Sequence, residues 1–215
     1  MSKLKTPIIL ILLILIIDQS LKIWIKTHFL LGEQISIFGN WAFLHFTENN
    51  GMAFGWEFGG EFGKIFLSVF RIVAVIGIGW YLYDLAKNNA PKGLIISFSL
   101  VLAGAIGNII DSAFYGIIFN ESYGELAQIF PESGGYASFL HGKVVDMFYF
   151  PLLKGNFPDW IPIWGGEYFT FFRPVFNVAD SAITIGVVLI IVLHRKFFKN
   201  KTENLGHENI EQEIA

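Results

Sequence analysis

Four long apolar runs constrain this chain more than any other feature of its sequence. They cover residues 7–25, 65–83, 94–111 and 174–195, and each is close to the ~20 residues that an α-helix needs to cross a bilayer. Because the bilayer interior offers the backbone no water to bond, each run is expected to be a helix. The charged fraction of 15% agrees, since soluble domains contain roughly 25%. The sequence therefore predicts a polytopic membrane protein.

The first run follows Lys3 and Lys5, as the apolar region of a secretory signal would. It has no small-residue cleavage site, however, and it continues past Asp18 and Lys22 into further apolar sequence. We therefore expect it to be retained as the first span.

The distribution of Lys and Arg predicts the orientation of the spans. Residues 1–6, 84–93 and 195–201 contain eight of these side chains, whereas the much longer stretches 26–64 and 112–173 contain five. By the positive-inside rule, both termini are expected in the cytoplasm and the two long loops on the outer side.

Both outer loops show signs of local structure. In the 26–64 loop, the apolar stretches 35–38 and 41–46 flank Gly39-Asn40, a pattern typical of a β-hairpin. The 112–173 loop is rich in Gly, Pro and aromatic residues and is long enough to hold a short helix or strands.

The predicted fold class is an all-α membrane protein. Residues 1–201 form the four-helix membrane domain with its small outer β element, and residues 202–215 form a polar cytoplasmic tail. The chain contains no Cys, which excludes a disulfide, a thiolate nucleophile and a Cys-ligated metal. Its five His form no HExxH-type motif. No metal, cofactor or nucleic-acid partner is predicted for a chain with a net charge of −3.

Ionisable side chains inside spans mark functional sites by default, because they are expensive to place in lipid. Each span has one in its outer half, namely Asp18, Arg71, Asp111 and Asp180. Structural roles remain open for three of them. Asp18 could form an ion pair with Lys22 on the helix surface, four residues on. Arg71 could snorkel towards lipid headgroups. Asp111 ends a helix, where the dipole is unfavourable to an acid, and therefore needs hydrogen-bond partners.

Asp180 and Asp146 are the strongest candidates for catalysis. Asp180 shares a polar stripe of its apolar helix with Asn177 and Thr184. Asp146 lies in an outer loop but is surrounded by apolar residues, which makes sense if this segment returns to the bundle beside Asp180. Two carboxylates in one apolar pocket hold a single proton near neutral pH. Aspartic proteases use this arrangement to activate water with one carboxylate and polarise the scissile carbonyl with the other.

Five motifs follow one another on this four-span scaffold. They are Asp18-Gln19-x-x-Lys22, Asn49-Asn50-Gly51-Met52-Ala53-Phe54, Gly104-Ala105-Ile106-Gly107-Asn108-Ile109-Ile110-Asp111, Val144-Val145-Asp146-Met147-Phe148 and Phe176-Asn177-Val178-Ala179-Asp180-Ser181-Ala182. In type and order they resemble the motifs of the lipoprotein signal peptidases, the type II signal peptidases of bacteria, over residues 1–200. In the third motif, Gly104 lies one turn before Asn108, and Gly104 and Gly107 would allow a neighbouring helix to approach closely.

The resemblance implies an aspartyl endopeptidase of the bacterial inner membrane with its site near the extracytoplasmic face. Its substrates would be prolipoproteins carrying diacylglycerol on Cys, cut just before that Cys, and globomycin-type peptides would inhibit it. The resemblance also implies a β-cradle and a periplasmic helix in the outer loops. It makes Asp146 and Asp180 the catalytic pair, and assigns the substrate-binding positions to Asp18, Lys22, Asn49, Gly51, Asn108, Asp111, Asn177 and Ala179.

Two departures from the family pattern stand out. Many members have Arg where this chain has Ser112, and Arg173 or Lys143 are the candidates to replace it. The stretches from Asp111 to Asp146 and from Asp146 to Asp180 are also longer than in compact members, which indicates insertions on the outer side.

Two other functions remain open from the sequence. A small proton- or ion-coupled transporter would also place acids and Asn inside its spans, although the spans show no repeat symmetry. A non-enzymatic lipoprotein-binding factor would bind the precursor without cutting it.

Overall fold

A computed structural model describes residues 2–50 and 60–193 of the chain. Three of its helices are long and apolar enough to cross a membrane: α1 (Ser2–His28), α2 (Gly60–Lys87) and α3 (Lys92–Ile110). The third continues through a π-helical turn, Asp111–Tyr115, into the short α4, Gly116–Ile118. A further apolar helix, α5, covers Val178–Leu193. The predicted tail and the end of the fourth run lie outside the described residues.

The prediction that a helix begins at residue 174 is wrong. Val175–Phe176 form a short strand, β6, whose residues pair with Tyr149 and Phe148. Their backbone groups are therefore committed to a sheet, and α5 begins at Val178. Apolar content alone does not distinguish a buried strand from the first turn of a buried helix.

The predicted fold class is confirmed only in part: the long apolar helices are present, but a sheet forms a larger part of the molecule than the small β element expected in an all-α protein. Its four antiparallel strands lie in the order β1 (Gln34–Phe38), β2 (Ala42–Asn49), β3 (Val144–Tyr149) and β6. The pairing of β1 with β2 confirms the predicted hairpin. Gly39 has φ = 50° in its turn, a conformation that favours glycine.

A second, two-stranded hairpin follows β3 in the chain. Its strands are β4 (Leu153–Asn156) and β5 (Tyr168–Phe171), which pair in antiparallel register. The 112–173 loop therefore holds the short α4 and several strands, and residues 119–173 contain no further helix. Residues 51–59 of the other loop lie outside the described residues.

The chain divides into two compact units. The helical unit comprises residues 1–15, 73–106 and 179–215, and the sheet unit comprises residues 16–72 and 107–178. The core of the sheet unit is built from the end of α1, the strands β2 and β3, and the π-helical turn with the residues that follow it. Its buried side chains are Ile25, Phe29, Phe46, Tyr115, Phe119, Ala127, Val145 and Met147.

The π-helical turn has a local explanation in the loop that follows it. The carbonyl groups of Ser112, Ala113 and Gly116 accept hydrogen bonds from the backbone N–H groups of residues 142, 140 and 137 at 2.8, 3.3 and 2.9 Å. Carbonyls at the end of an α-helix lack partners within the helix. The loop supplies these partners and fixes the direction in which the chain leaves Asp111.

Within the helical unit, α3 and α5 pack through a glycine. A Cβ atom on Gly104 would lie 2.2 Å from the carbonyl oxygen of Ala179 and 2.7 Å from the side chain of Ile183. The close approach predicted for Gly104 is therefore confirmed. It holds the first turn of α5, which contains Asp180, against α3.

Gly104→Ala is expected to destabilise the protein by about 1–3 kcal/mol, because the added methyl group displaces a backbone carbonyl and not a flexible side chain. Gly77→Ala is the matched control, since a Cβ atom at Gly77 of α2 meets nothing within 4 Å. The control should be neutral or more stable, because Ala favours a helix over Gly. Thermal unfolding of both variants in detergent measures the difference, and equal midpoints would contradict the packing.

Candidate active site

Lys22 lies at the centre of a buried polar network in the sheet unit. Its side chain is 0% exposed. The Nζ atom is 2.9 Å from Asp18 Oδ2, 2.8 Å from Asp111 Oδ2 and 2.9 Å from Asn108 Oδ1. An ammonium group has three N–H donors and no acceptor, so these three contacts use all of its donors. Lys22 therefore has no donor left for another ligand.

The predicted pairing of Asp18 with Lys22 is present, but its placement on the helix surface is wrong. Both side chains are buried, at 1% and 0% exposed, because Asp111 and Asn108 from the end of α3 cover the pair on the side away from α1. Burial without partners would be costly for either charge. The pair is retained inside the protein because each charge has further polar contacts.

Asp111 has the partners that its position at a helix end requires. Its carboxylate accepts hydrogen bonds from Gln19 Nε2 at 2.9 Å and from the backbone N–H of Val145 at 3.3 Å, besides its contact with Lys22. Gln19 is the partner that the sequence motif contained but to which no role was assigned. Its Oε1 accepts a hydrogen bond from the Tyr115 hydroxyl at 3.1 Å. Asp111 thus ties α1, α3 and β3 together.

Asn177 connects this network to Asp146. Its Nδ2 donates to Asn108 Oδ1 at 3.2 Å, to the carbonyl oxygen of Val145 at 3.2 Å and to Asp146 Oδ1 at 2.7 Å. Asn177 is 0% exposed and Asp146 is 4% exposed. Asp146 lies on β3, and Asn177 directly follows β6. The two side chains come together because β3 and β6 pair at Phe148 and Phe176.

The orientation of both amides follows from the charge on Lys22. Because an ammonium only donates, the Asn108 atom that faces it must be the oxygen. The same oxygen faces Asn177, which must therefore turn its NH2 group towards Asn108, and the Val145 carbonyl requires this orientation as well. Asp146 Oδ1 consequently faces a donor. We call Lys22, Asn108, Asn177 and Asp146 the amide relay.

The remaining predicted positions lie around this relay or outside it. Asn49 is the last residue of β2 and pairs with Val144, two residues before Asp146. Ala179 and Asp180 lie in the first turn of α5, in the helical unit. Gly51 lies outside the described residues.

The two candidates for replacing the family's Arg have different surroundings. Lys143 binds Glu121 at 2.6 Å and Glu48 at 3.3 Å, whereas Arg173 lies exposed between β5 and β6. Ser112 itself donates to the carbonyl oxygen of Asn108, within its own helix, at 3.0 Å.

A second buried ion cluster was not predicted from the sequence. Lys26, one turn after Lys22 on α1, binds Glu48 of β2 and donates to Ser122 Oγ at 2.6 Å. Burial alone would raise the pKa of Glu48, but Lys26 and Lys143 beside it hold that pKa below its usual value. Burial alone would lower the pKa of Lys143, but the carboxylates of Glu121 and Glu48 raise it. The i,i+4 spacing of Lys22 and Lys26 was the available signal in the sequence.

Residues 2–50 and 60–193 contain no group of three His, Asp or Glu side chains placed to bind one metal ion. The chemistry available to the relay is that of a carboxylate, Asp146, held by an amide donor. Such a carboxylate can accept a proton from water.

Residues 10–196 match the family model described as signal peptidase (SPase) II. The chain belongs to the signal peptidase II family. It is therefore a membrane protease, and the resemblance expected from its five motifs is confirmed. A lipoprotein signal peptidase of Porphyromonas gingivalis is 53% identical over 194 residues, which cover 88% of this chain and 83% of that protein. Another, of Amoebophilus asiaticus, is 43% identical over 84% of this chain and 74% of its own length.

The fold also agrees with that of a solved bacterial membrane enzyme. That structure has a TM-score of 0.61 and 26% sequence identity, with 91% of each chain covered. A second structure with the same description has a TM-score of 0.56, covering 87% of this chain and 91% of its own. The similarity extends over most of this chain.

Proposed function

We propose that this signal peptidase removes the signal peptide from diacylglyceryl-modified prolipoproteins by cutting just before the lipidated Cys, with Asp146 and Asp180 as an aspartyl pair. The observation that carries the proposal is the 2.7 Å hydrogen bond from Asn177 Nδ2 to Asp146 Oδ1 in a buried setting. The names of the relatives support the substrate class.

Within this mechanism, Asp146 is the general base. Its Oδ1 faces an N–H donor, and a hydrogen bond to the charged form of a carboxylate favours that form. The role that remains for Asp180, as the other member of the pair, is that of the general acid. Asp146 takes a proton from water while the water oxygen attacks the scissile carbonyl carbon, and Asp180 gives its proton to the carbonyl oxygen. When the C–N bond breaks, Asp146 returns its proton to the leaving nitrogen and Asp180 recovers one from the hydroxyl group.

The other predicted residues divide into two roles. We assign a positioning role to the four residues that bind one another within or beside the relay, which are Lys22, Asp18, Asn108 and Asp111. We assign substrate contact to Asn49, Gly51, Asn177 and Ala179. Asn49 pairs with Val144, two residues before Asp146, and Asn177 and Ala179 come just before Asp180 in the chain.

The bilayer fits this chemistry. A precursor with a signal-peptide helix and two acyl chains is held in lipid, and its scissile bond lies near the outer interface. From the distribution of Lys and Arg we place both termini in the cytoplasm and the catalytic pair near the extracytoplasmic face of the inner membrane. Globomycin-type peptides are the expected inhibitors.

The direct test is processing of a diacylglyceryl precursor by the purified protein in phospholipid vesicles. Cleavage is expected before the lipidated Cys, as located by mass spectrometry, and the same precursor without diacylglycerol should be cut poorly. The transporter hypothesis is tested in the same vesicles by proton and ion flux. Flux without cleavage, or tight precursor binding without cleavage, would overturn the proposal in favour of a carrier or a binding factor.

A further inference from the structure

We propose that the β4–β5 hairpin is a membrane-docking element whose tip lies among the lipid headgroups and upper acyl chains. We call residues 152–172 the aromatic hairpin. This inference goes beyond the proposed function and does not depend on the catalytic pair, so either can fail while the other stands.

The aromatic hairpin exposes an unusual amount of apolar surface. Trp160 is 80% exposed and Ile163 is 88% exposed, close to its tip. Further exposed apolar or aromatic side chains are Leu152, Leu153, Trp164, Tyr168, Phe171 and Phe172. Eight exposed apolar or aromatic side chains thus lie within 21 residues, and exposed apolar surface of this kind marks a site of interaction with a protein or a membrane.

This exposure belongs to a folded hairpin. Four residue pairs join β4 to β5, from Leu153 with Phe171 to Asn156 with Tyr168. Beyond them, the ring of Phe157 contacts those of Phe169 and Trp164, with centroids 4.7 and 6.3 Å apart. The hairpin therefore has an aromatic interior of its own, to which the half-exposed Trp164 also contributes.

The hairpin is also attached to the four-stranded sheet. Lys154 Nζ lies 5.1 Å from the centre of the Phe43 ring on β2, within the range of a cation–π contact. The aromatic hairpin is thus held in the sheet unit, and its tip projects from a fixed base.

The backbone conformation at the tip also supports a lipid-facing hairpin. Ile163 has φ = 78°, a conformation that glycine adopts readily and a β-branched residue rarely does. A turn facing water would be easier to build with Gly or Asn at this position. Here the position presents an apolar side chain that is 88% exposed.

The chemistry of the surface favours lipid over a protein partner. Trp and Tyr are enriched where membrane meets water, because their rings are apolar with a polar edge. The hairpin carries Lys154, Asp159 and Glu167 as its charged side chains, so it offers no strong charge for a partner to complement. The sheet unit also contains the ends of two apolar spans, at His28 and Ile118. A bilayer is therefore the apolar phase with which this unit is already in contact.

Single spin labels test the proposal cleanly, since the chain has no Cys of its own. Ile163→Cys and Trp160→Cys report on the tip, and Tyr123→Cys is the matched control, because Tyr123 is 85% exposed in another loop of the sheet unit. Each labelled protein is reconstituted in phosphatidylcholine–phosphatidylglycerol vesicles. Accessibility to oxygen, which concentrates in lipid, is then compared with accessibility to a water-soluble nickel complex by power saturation.

The tip labels are expected to be several-fold more accessible to oxygen than to the nickel complex, with the Tyr123 label showing the opposite ratio. Tip labels as accessible to nickel as the control would overturn the proposal, because the hairpin would then be in water. Tip labels protected from both reagents would also overturn it, since a second copy or another protein would be covering the tip. Thermal unfolding of each labelled protein, compared with the unlabelled protein, shows that it is folded.

Discussion

Asp146→Asn is expected to lower the rate of precursor cleavage by at least ~10³-fold while leaving the protein folded, and Asp180→Asn should do the same. The amide retains the shape of the carboxylate, and its oxygen can still accept the 2.7 Å hydrogen bond from Asn177. What it loses is the ability to take a proton from water. The rate is measured with a diacylglyceryl precursor under single-turnover conditions, and folding by thermal unfolding in detergent.

The double variant, Asp146→Asn with Asp180→Asn, tests whether the two carboxylates act together. If the two carboxylates act as one unit, removing both should cost little more than removing either, because the effects of residues that act together are not additive. Asp84→Asn is the matched control, since Asn can still accept the hydrogen bond that Asn88 Nδ2 gives to Asp84 at 2.9 Å. Activity of either single variant within a few-fold of the unaltered protein would exclude that residue from the chemistry.

The sequence predicted the elements of this fold better than their boundaries. The three long helices are apolar enough for length and hydropathy to identify them, and the hairpin around Gly39 has a strong turn signal. The apolar run that contains β6 and α5 gave no sign of where strand becomes helix, because both are apolar. The aromatic hairpin was expected only as a short helix or strands somewhere in the 112–173 loop, since its strands are short and Gly, Pro and charged residues interrupt its apolar residues.

The candidate site was predictable as a set of residue types but not as a set of contacts. The spacing of Asp18 and Lys22 along one helix predicted their ion pair, which is local. Its burial depends on Asp111, about ninety positions away, and no local pattern encodes that contact. The same holds for Asn177 and Asp146, which meet only because β6 pairs with β3.

Lys22→Met is expected to have the second-largest effect on the rate of cleavage. The effect should come from the change in the amide relay more than from a loss of stability. Without the ammonium, either the oxygen or the NH2 of Asn108 can face Asn177. Asn177 then keeps the Val145 carbonyl as an acceptor but can lose Asn108 as one, so its NH2 group is held less firmly towards Asp146. Asp146 then binds a proton more readily. Cleavage should fall by about 10–100-fold, within the range of one misplaced catalytic group, and the acidic limb of the pH–rate profile should move to higher pH.

A loss of stability alone would not move that limb, and two further variants separate the effects. Lys26→Met also removes a fully buried Lys from α1, one turn further along, where its partners are Glu48 and Ser122. It should lower stability by roughly 3–5 kcal/mol, as expected when one partner of a buried ion pair is removed, but leave the acidic limb in place.

The double variant Lys22→Met with Asp18→Asn keeps the net charge that Lys22, Asp18 and Asp111 have together. It should be more stable than Lys22→Met, because it also removes the charge of one carboxylate that lost its partner. The acidic limb of its pH–rate profile should stay at the higher pH, because Asn108 is still not oriented. An unshifted limb in both Lys22 variants would show that Lys22 only holds the helices together, and the choice of Asp146 as the base would lose its support.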